Sequence, residues 1–333
     1  MRTSRLRTVF AAETAHHLSR PLFWSLILVL AIFSGLFSTG NMQISTGDAS
    51  VGGTKAWITS EFNFAFFLTM LVALIYGIFA SIAAGLAIPS DDENKVGDLL
   101  HSTPLKPAEY VWGKFLAVAF AFAVALLLHV AFTVFFYHFV PNPKAAEIRG
   151  PLDLVNYLRP VVVFAVPTLT FLLGMAFFLG ERLRRPLAVF LFPIAVLAVS
   201  AFFLWSWSPT WLDPDINRAL MWIDPAGFRW LNETWLKLDR GAAFYNKARI
   251  GLDLPFVLSR FAFLGLGVLA VVLSQRHLAA RLRGPASVPG GRLFRRRERL
   301  GVLPAARPLA ALGMRYRTLG LAGATLEVAR VEL

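Results

Sequence analysis

Residues 89–114, PSDDENKVGDLLHSTPLKPAEYVWGK, form a polar segment between two long apolar runs, residues 65–88 and 115–137. Each run is long enough to cross the hydrocarbon core of a bilayer as a helix. At the start of the polar segment, Ser90 and Glu93 have the spacing of a capping box, in which both side chains satisfy free amides at a helix N-terminus. The sequence therefore predicts two membrane spans joined by a loop that contains a short helix.

The apolar residues of this loop recur at helical spacing, which predicts one apolar stripe along a helix over residues 91–102. Pro104 ends this helix, and Pro107 suits the first turn of the next one. A solvated loop with a single helical turn is the alternative, because periodicity over so few residues is ambiguous. The stripe consists of Val96, Leu99, Leu100 and Thr103.

Further apolar runs bring the number of predicted membrane spans to six. The composition agrees, since 56% of the 333 residues are hydrophobic and only 16% are charged, against about 25% charged in a soluble domain. The sequence predicts an all-α integral membrane protein. The six spans cover residues 21–38, 65–88, 115–138, 159–180, 187–205 and 255–274.

The distribution of basic residues predicts how these spans are oriented. The N-terminal residues 1–20, the short loop 181–186 and the tail 276–333 are rich in Arg, and the tail holds twelve Arg against three Glu. Basic loops stay on the cytoplasmic side of a membrane. We therefore expect both termini in the cytoplasm. Residues 1–20 are predicted to form an interfacial helix, with a disordered basic N-terminus as the alternative, and the tail to meet anionic lipid and not nucleic acid.

The polar segment resembles the first cytoplasmic loop of ABC-2-type transporter permeases. In that family an acidic start is followed by a leucine-rich helix, a Ser-Thr-Pro-Leu turn, and Glu-Tyr and Gly-Lys pairs at the start of the third span. The positions that match are Glu93, Leu99, Leu100, Ser102, Thr103, Pro104, Leu105, Glu109, Tyr110, Gly113 and Lys114.

The resemblance implies a permease subunit of an ATP-binding-cassette exporter in a bacterial inner membrane. Residues 1–275 would be the transmembrane domain and residues 276–333 a basic cytoplasmic tail. A separate ATPase subunit would bind ATP and Mg²⁺, and this chain would pair with a second permease as a homodimer or heterodimer. The N-terminal helix would be the family's elbow helix, and residues 206–254 would hold outer re-entrant or cap helices. The ATPase-coupling residues would be Glu93, Val96, Leu99, Leu100, Thr103 and Pro104.

Other classes of function lack the residues that they need. The chain has no Cys, and the glycine-rich stretch 47–54 lacks the Lys that a phosphate-binding loop requires. We therefore expect no catalytic, cofactor-binding or metal-binding residues. A secondary transporter, a membrane-embedded enzyme, and a membrane anchor or first half of a larger permease related to the aminopeptidase-fused permeases are the alternatives.

Three polar or small-residue features lie inside the predicted spans. Gly77, Ser81 and Gly85 recur every four residues, which is typical of a close helix-packing face within a bundle or between subunits. His129 is the ionisable group deepest in a span, and we expect a packed or hydrogen-bonded side chain in preference to a proton relay. Arg260 lies near the start of the sixth span, where we expect it to extend outward to water.

Overall fold

The computed structural model describes residues 2–39, 45–46, 49–50, 57–93, 105–184, 186–201 and 213–282. These residues are helical apart from connecting loops and a ladder of two-residue strands, β1 (Ser45–Thr46) and β2 (Ala49–Ser50). Five helices are long and apolar enough to span a membrane: α2 (Pro21–Ser38), α3 (Glu61–Gly85), α5 (Pro107–Phe139), α6 (Val155–Leu183) and α11 (Leu254–Leu282).

Five of the six predicted spans are therefore confirmed as long apolar helices. The remaining one, predicted over residues 187–205, corresponds to α7 (Pro186–Val199), which has 14 residues. At 1.5 Å per residue this helix is about 21 Å long, less than the ~30 Å core of a bilayer. Residues 202–205 lie outside the described residues.

Shorter helices lie at the polar segments of the described chain. Residues 2–19 form α1 (Arg2–Ser19), so the prediction of an N-terminal helix is confirmed, and the disordered alternative is wrong for these residues. After α3 comes α4 (Pro89–Glu93). It begins one residue before Ser90, the first residue of the predicted capping box. The segment between α7 and α11 contains α8 (Pro214–Ile223), α9 (Phe228–Leu231) and α10 (Ala242–Lys247).

The core of the bundle forms where α6 packs against α3 and α11. A Cβ added at Gly174 would lie 2.2 Å from the carbonyl oxygen of Gly267, so the backbones of α6 and α11 touch there. A Cβ at Gly180 would lie 1.8 Å from the carbonyl oxygen of Gly85, which brings α3 equally close to α6. Small residues thus permit the backbone contacts on which membrane helices depend.

The bundle has two polar ends, which we name by a buried cation that lies at each of them. The Lys114 end contains the C-terminus of α3, α4, the N-terminus of α5 and the C-termini of α6 and α11. The Arg260 end contains the opposite ends of α3, α6 and α11 together with α8, α9 and α10.

Candidate functional site

The described start of the polar loop, α4, contacts a buried lysine of α5. Nζ of Lys114, in the second turn of α5, lies 2.6 Å from Oε1 of Glu13 and 3.0 Å from Oδ2 of Asp91. The hydroxyl of Tyr110 donates a second hydrogen bond, 2.6 Å long, to the same Asp91 oxygen. Lys114 is only 2% exposed, and a buried ammonium is stable only when it is paired and hydrogen-bonded. One cation therefore joins α1, α4 and α5.

A glycine lets α1 approach α5 beside this lysine. A Cβ added at Gly113 would lie 2.7 Å from Cγ1 of Val9, so any larger residue would push α1 away. About two helical turns further from the loop, the rings of Phe10 and Phe120 meet edge to face with centroids 5.8 Å apart. The Gly113–Lys114 pair thus has a local role: the glycine provides the space for α1, and the lysine binds it.

The return of the loop into the bundle is fixed at the start of α5. Pro107 occupies the first turn of this helix, as its missing N–H permits. The carboxylate of Glu109 accepts a hydrogen bond of 3.0 Å from the backbone N–H of Lys106, which is the N-cap. The prediction that α5 begins at Pro107 is confirmed, eight residues before the apolar run itself.

The predicted ATPase-coupling residues lie mostly beyond the described part of the loop. Glu93 is the exposed last residue of α4. The other five lie outside the described residues: Val96, Leu99, Leu100, Thr103 and Pro104. Both segments that flank them, residues 89–93 and 105–114, are fixed to the bundle by Asp91 and Lys114.

A second ionic contact closes the Lys114 end between α6 and α11. Glu181 is fully buried, and both its carboxylate oxygens lie 2.8 Å from Nδ1 of His277. Arg281 contributes a longer contact of 3.8 Å to the same carboxylate. The indole N–H of Trp112 also donates to Oε1 of Gln275 over 2.8 Å. The helices that end here are therefore held together by polar side chains as well as by packing.

The small-residue face of α3 lies inside the bundle. Ser81 is fully buried. A Cβ at Gly85 would lie 2.4 Å from Val189 of α7 and 3.2 Å from the carbonyl oxygen of Ala176 in α6. A Cβ at Gly77 would meet its neighbours only at ordinary contact distance, 3.5 Å or more. The close approach is thus concentrated at Gly85, at the Lys114 end.

His129 lies in the apolar middle of α5 with a tyrosine as its hydrogen-bond partner. Its Nδ1 is 3.2 Å from the hydroxyl of Tyr76 on α3, and both side chains are buried. The Tyr76 hydroxyl also lies 3.4 Å from the carbonyl oxygen of Ala125. Within the described residues no carboxylate is bonded to this pair, so the arrangement links α3 to α5 and offers no chain of proton carriers.

At the opposite end of the bundle, Arg260 does not extend to water, and the expectation of an outward-reaching side chain is wrong. It is 5% exposed, and its guanidinium donates bonds of 2.6 Å to the carbonyl oxygens of Asp224 and Pro225. The rings of Phe256 and Phe263 cover it at 4.9 and 5.2 Å. The reason is that the chain between α8 and α9 supplies acceptors that are nearer than water.

Asp224 organises the turn that Arg260 holds. Its carboxylate accepts hydrogen bonds from the backbone N–H groups of Ala226, at 3.0 Å, and Arg229, at 2.7 Å. Burial raises the pKa of this carboxyl, while the charge of Arg260 and the backbone donors oppose that rise. The turn then carries Trp230 into a stack on Phe256, with ring centroids 3.8 Å apart. The segment between α7 and α11 is thereby fixed to the Arg260 end.

A further ion cluster at this end joins α3 to α6. Glu61 is 2% exposed and lies 2.9 Å from a guanidinium nitrogen of Arg159 and 3.7 Å from one of Arg249. Arg249 also pairs with Asp153 at 2.6 Å. Only the charge of Glu61, shortly before an apolar run, indicates this cluster in the sequence. The basic partners of Glu61 are about 100 and 190 residues away along the chain, so sequence spacing does not identify them.

The family of this bundle follows from its sequence and its helices. The described residues include no group of three or more His, Asp or Glu that could hold a metal ion. The sequence pattern of the ABC-2 family transporter proteins matches residues 58–228, which is 171 of the 333 residues. A comparison with curated proteins found no match. The matched region includes α3, the polar loop and α5, and the chain is a multi-pass membrane protein that belongs to the ABC-2 family of transporter proteins.

Proposed function

We propose that this chain is the permease subunit of an ATP-binding-cassette exporter and that a separate ATPase subunit docks on residues 89–114. The observation that carries the proposal is the contact of Lys114 with Glu13 and Asp91. Because one buried cation holds α1, α4 and α5 together, a force applied to the loop reaches the membrane helices directly. Such a connection is what an energy-transducing loop needs, and a simple anchor does not need it.

The arrangement in the membrane is part of the same proposal. Both termini and the Lys114 end face the cytoplasm of a bacterial cell, since the Arg-rich loop 181–186 lies at that end. The short helix α7, extended by residues after Val199, serves as the fifth of six spans. Two such permeases, identical or paired with a second one, enclose the transport path, and ATP and Mg²⁺ bind only to the ATPase partner.

The segment between α7 and α11 is proposed to be the family's outer cap. The described part of α8 has no buried residues, and its apolar side chains Ile216, Trp222 and Ile223 are exposed. Tryptophan and aliphatic side chains in such a position favour the headgroup region of a bilayer. The opposite side of the segment is fixed through Asp224 and Arg260, which supports a rigid cap.

The test is a substitution on the predicted apolar stripe. Leu99→Asp, or Leu100→Asp, is expected to abolish substrate-stimulated ATP hydrolysis by the complex, because a charge on a docking surface is desolvated without a partner. Leu238→Asp makes the same chemical change at the other end of the bundle, where Leu238 is 74% exposed, and serves as the matched control. The measurement is ATPase activity in proteoliposomes at equal insertion of each variant.

Purification of the complex from native membranes identifies the partner and its stoichiometry by native mass spectrometry. Full activity of the Leu99→Asp variant with the ATPase bound would exclude the loop as the docking surface. An active complex without any ATP-binding-cassette subunit would exclude the function itself.

A further inference from the structure

Two cavities of different character meet at the Lys114 end, and His17 and Arg20 line both. The first is polar, with Glu13, Asp91, Lys114 and His16 in its wall. The second is apolar and lies between three membrane helices, with Leu26 of α2, Phe79 and Ala83 of α3, and Phe122 of α5 in its wall. A ligand that fills both cavities must be polar at one end and apolar at the other.

The polar cavity has two carboxylates on one side and an arginine on the other. Glu13 and Asp91 share the single cation Lys114, so this side holds one negative charge in excess. The guanidinium of Arg20 is half-buried and has no hydrogen-bond or ion-pair partner among the described residues. The cavity therefore offers an acidic side to a cation and a basic side to an anion.

His17 adds an unsatisfied buried group at the junction. It is 6% exposed, and its Nε2 has no hydrogen-bond partner within the described chain; the nearest Glu13 oxygen is 4.0 Å away. Burial, helped by the charge of Arg20, lowers the pKa of His17 to about 4, so the ring is neutral at pH 7. A buried nitrogen without a partner costs free energy that a bound polar ligand would recover.

The apolar cavity continues from the polar one along the membrane helices. From Lys114 to Phe122 the helix α5 rises about 12 Å at 1.5 Å per residue. The wall of the apolar cavity consists of Leu, Phe and Ala side chains and lies between α2, α3 and α5, which span the bilayer. This part of the site has a volume of about 20 Å³, which admits only the first methylene group or two of a hydrocarbon chain.

We propose that the two cavities form one binding site for a glycerophospholipid whose headgroup carries a phosphate and a primary amine, as in phosphatidylethanolamine. The phosphate lies against Arg20 and the ring of His17, where a guanidinium matches it in charge and geometry. The ammonium donates to the free lone pairs of Glu13 and Asp91. The start of an acyl chain enters the cleft beside Phe79 and Ala83, and the rest of the chain lies in the bilayer. This site requires only that the chain spans a membrane and is independent of its partner ATPase.

Ligands of other chemistry would satisfy only some of the groups in this site. A wholly anionic headgroup would satisfy Arg20 but would meet two carboxylates. A trimethylated ammonium has the right charge but no N–H to donate. Free phosphate would leave the apolar cleft empty. The combination of Arg20, two carboxylates and a hydrocarbon cleft therefore selects the zwitterionic amine lipid.

The experiment is native mass spectrometry of the full chain in detergent with phosphatidylethanolamine, phosphatidylglycerol and phosphatidylcholine of identical acyl chains. The lipid with the primary amine is expected to be retained about tenfold or more over the trimethylated one, since the charge-assisted hydrogen bonds are lost. Arg20→Gln is expected to reduce its retention by a similar factor. The matched control is Arg182→Gln, an exposed arginine at the same end of the bundle.

A second variant tests the hydrocarbon cleft. Ala83→Leu places a larger side chain in the cleft and is expected to weaken all three lipids equally, without changing their order. Size-exclusion chromatography identifies any loss of folding in this variant, and Arg20→Gln, at a side chain without a protein partner, tests the site independently. Equal retention of the three lipids by the native chain, or equal effects of Arg20→Gln and Arg182→Gln, would overturn the proposal.

Discussion

The two ends of the bundle bury cations of similar size in different ways. At the Arg260 end, the guanidinium is enclosed by backbone carbonyls and aromatic rings, all from the segment and helices that it holds. At the Lys114 end, the ammonium joins side chains of α1 and α4 and borders a polar cavity. Backbone acceptors fix one geometry, whereas side-chain carboxylates with free lone pairs can accept another ligand. The comparison indicates that the Arg260 end is held in one arrangement, and we call it the locked end. The Lys114 end can bind a further ligand.

The largest effect is expected from removing the cation of the locked end. Arg260→Met keeps an unbranched side chain but leaves the carbonyl of Asp224 without its donor and removes the charge of Arg260 from the buried Asp224 carboxylate. We expect the free energy of unfolding to fall by about 2–5 kcal/mol. Unfolding in mixed micelles, followed by tryptophan fluorescence, measures it.

Arg218→Met is the control for this variant, because Arg218 lies in the same segment and its side chain is 72% exposed. An exposed ion pair contributes about 0–1 kcal/mol. If Arg260→Met were no more harmful than Arg218→Met, the Arg260 end would not be locked by its arginine.

A smaller and more local effect is expected at the Lys114 end. Lys114→Met removes two contacts, but the side chains of Glu13 and Asp91 are 20% and 18% exposed and can bind water. We expect a loss of about 1–3 kcal/mol, confined to the docking of α1 and α4. Hydrogen–deuterium exchange measures this as protection lost in residues 2–19 and 89–93.

The matched comparison for Lys114→Met is the exchange of residues 224–231, which the substitution should leave unchanged. Protection lost equally at both ends would mean that the bundle unfolds as one unit, and the distinction between the two ends would fail.

The sequence predicts the apolar helices well because their signal is local. Hydropathy alone locates α2, α5, α6 and α11, and Pro107 marks where α5 begins. It misses the first residues of α3, because the charge of Glu61 interrupts the apolar run although its partners Arg159 and Arg249 bury it.

The polar contacts at both ends could not be predicted in the same way. Lys114 and Glu13 are 101 residues apart, and Arg260 reaches carbonyl groups 35 and 36 residues earlier. A charged residue near the end of an apolar run is compatible with exposure to water or with burial against a partner. Only the packing of the helices decides between them, which is why the expectation for Arg260 was wrong and the role of Lys114 was not anticipated.

The central claim is that the Lys114 end receives the ATPase in the cytoplasm, and a single-cysteine crosslink tests it most directly. The chain has no Cys, so Glu93→Cys and Arg218→Cys each introduce one thiol, at the exposed end of α4 and in the exposed α8. In intact cells, a photoreactive thiol probe at position 93 is predicted to crosslink to an ATP-binding-cassette subunit, and the same probe at position 218 is predicted not to. A crosslink to that subunit from position 218, with none from position 93, would contradict the account.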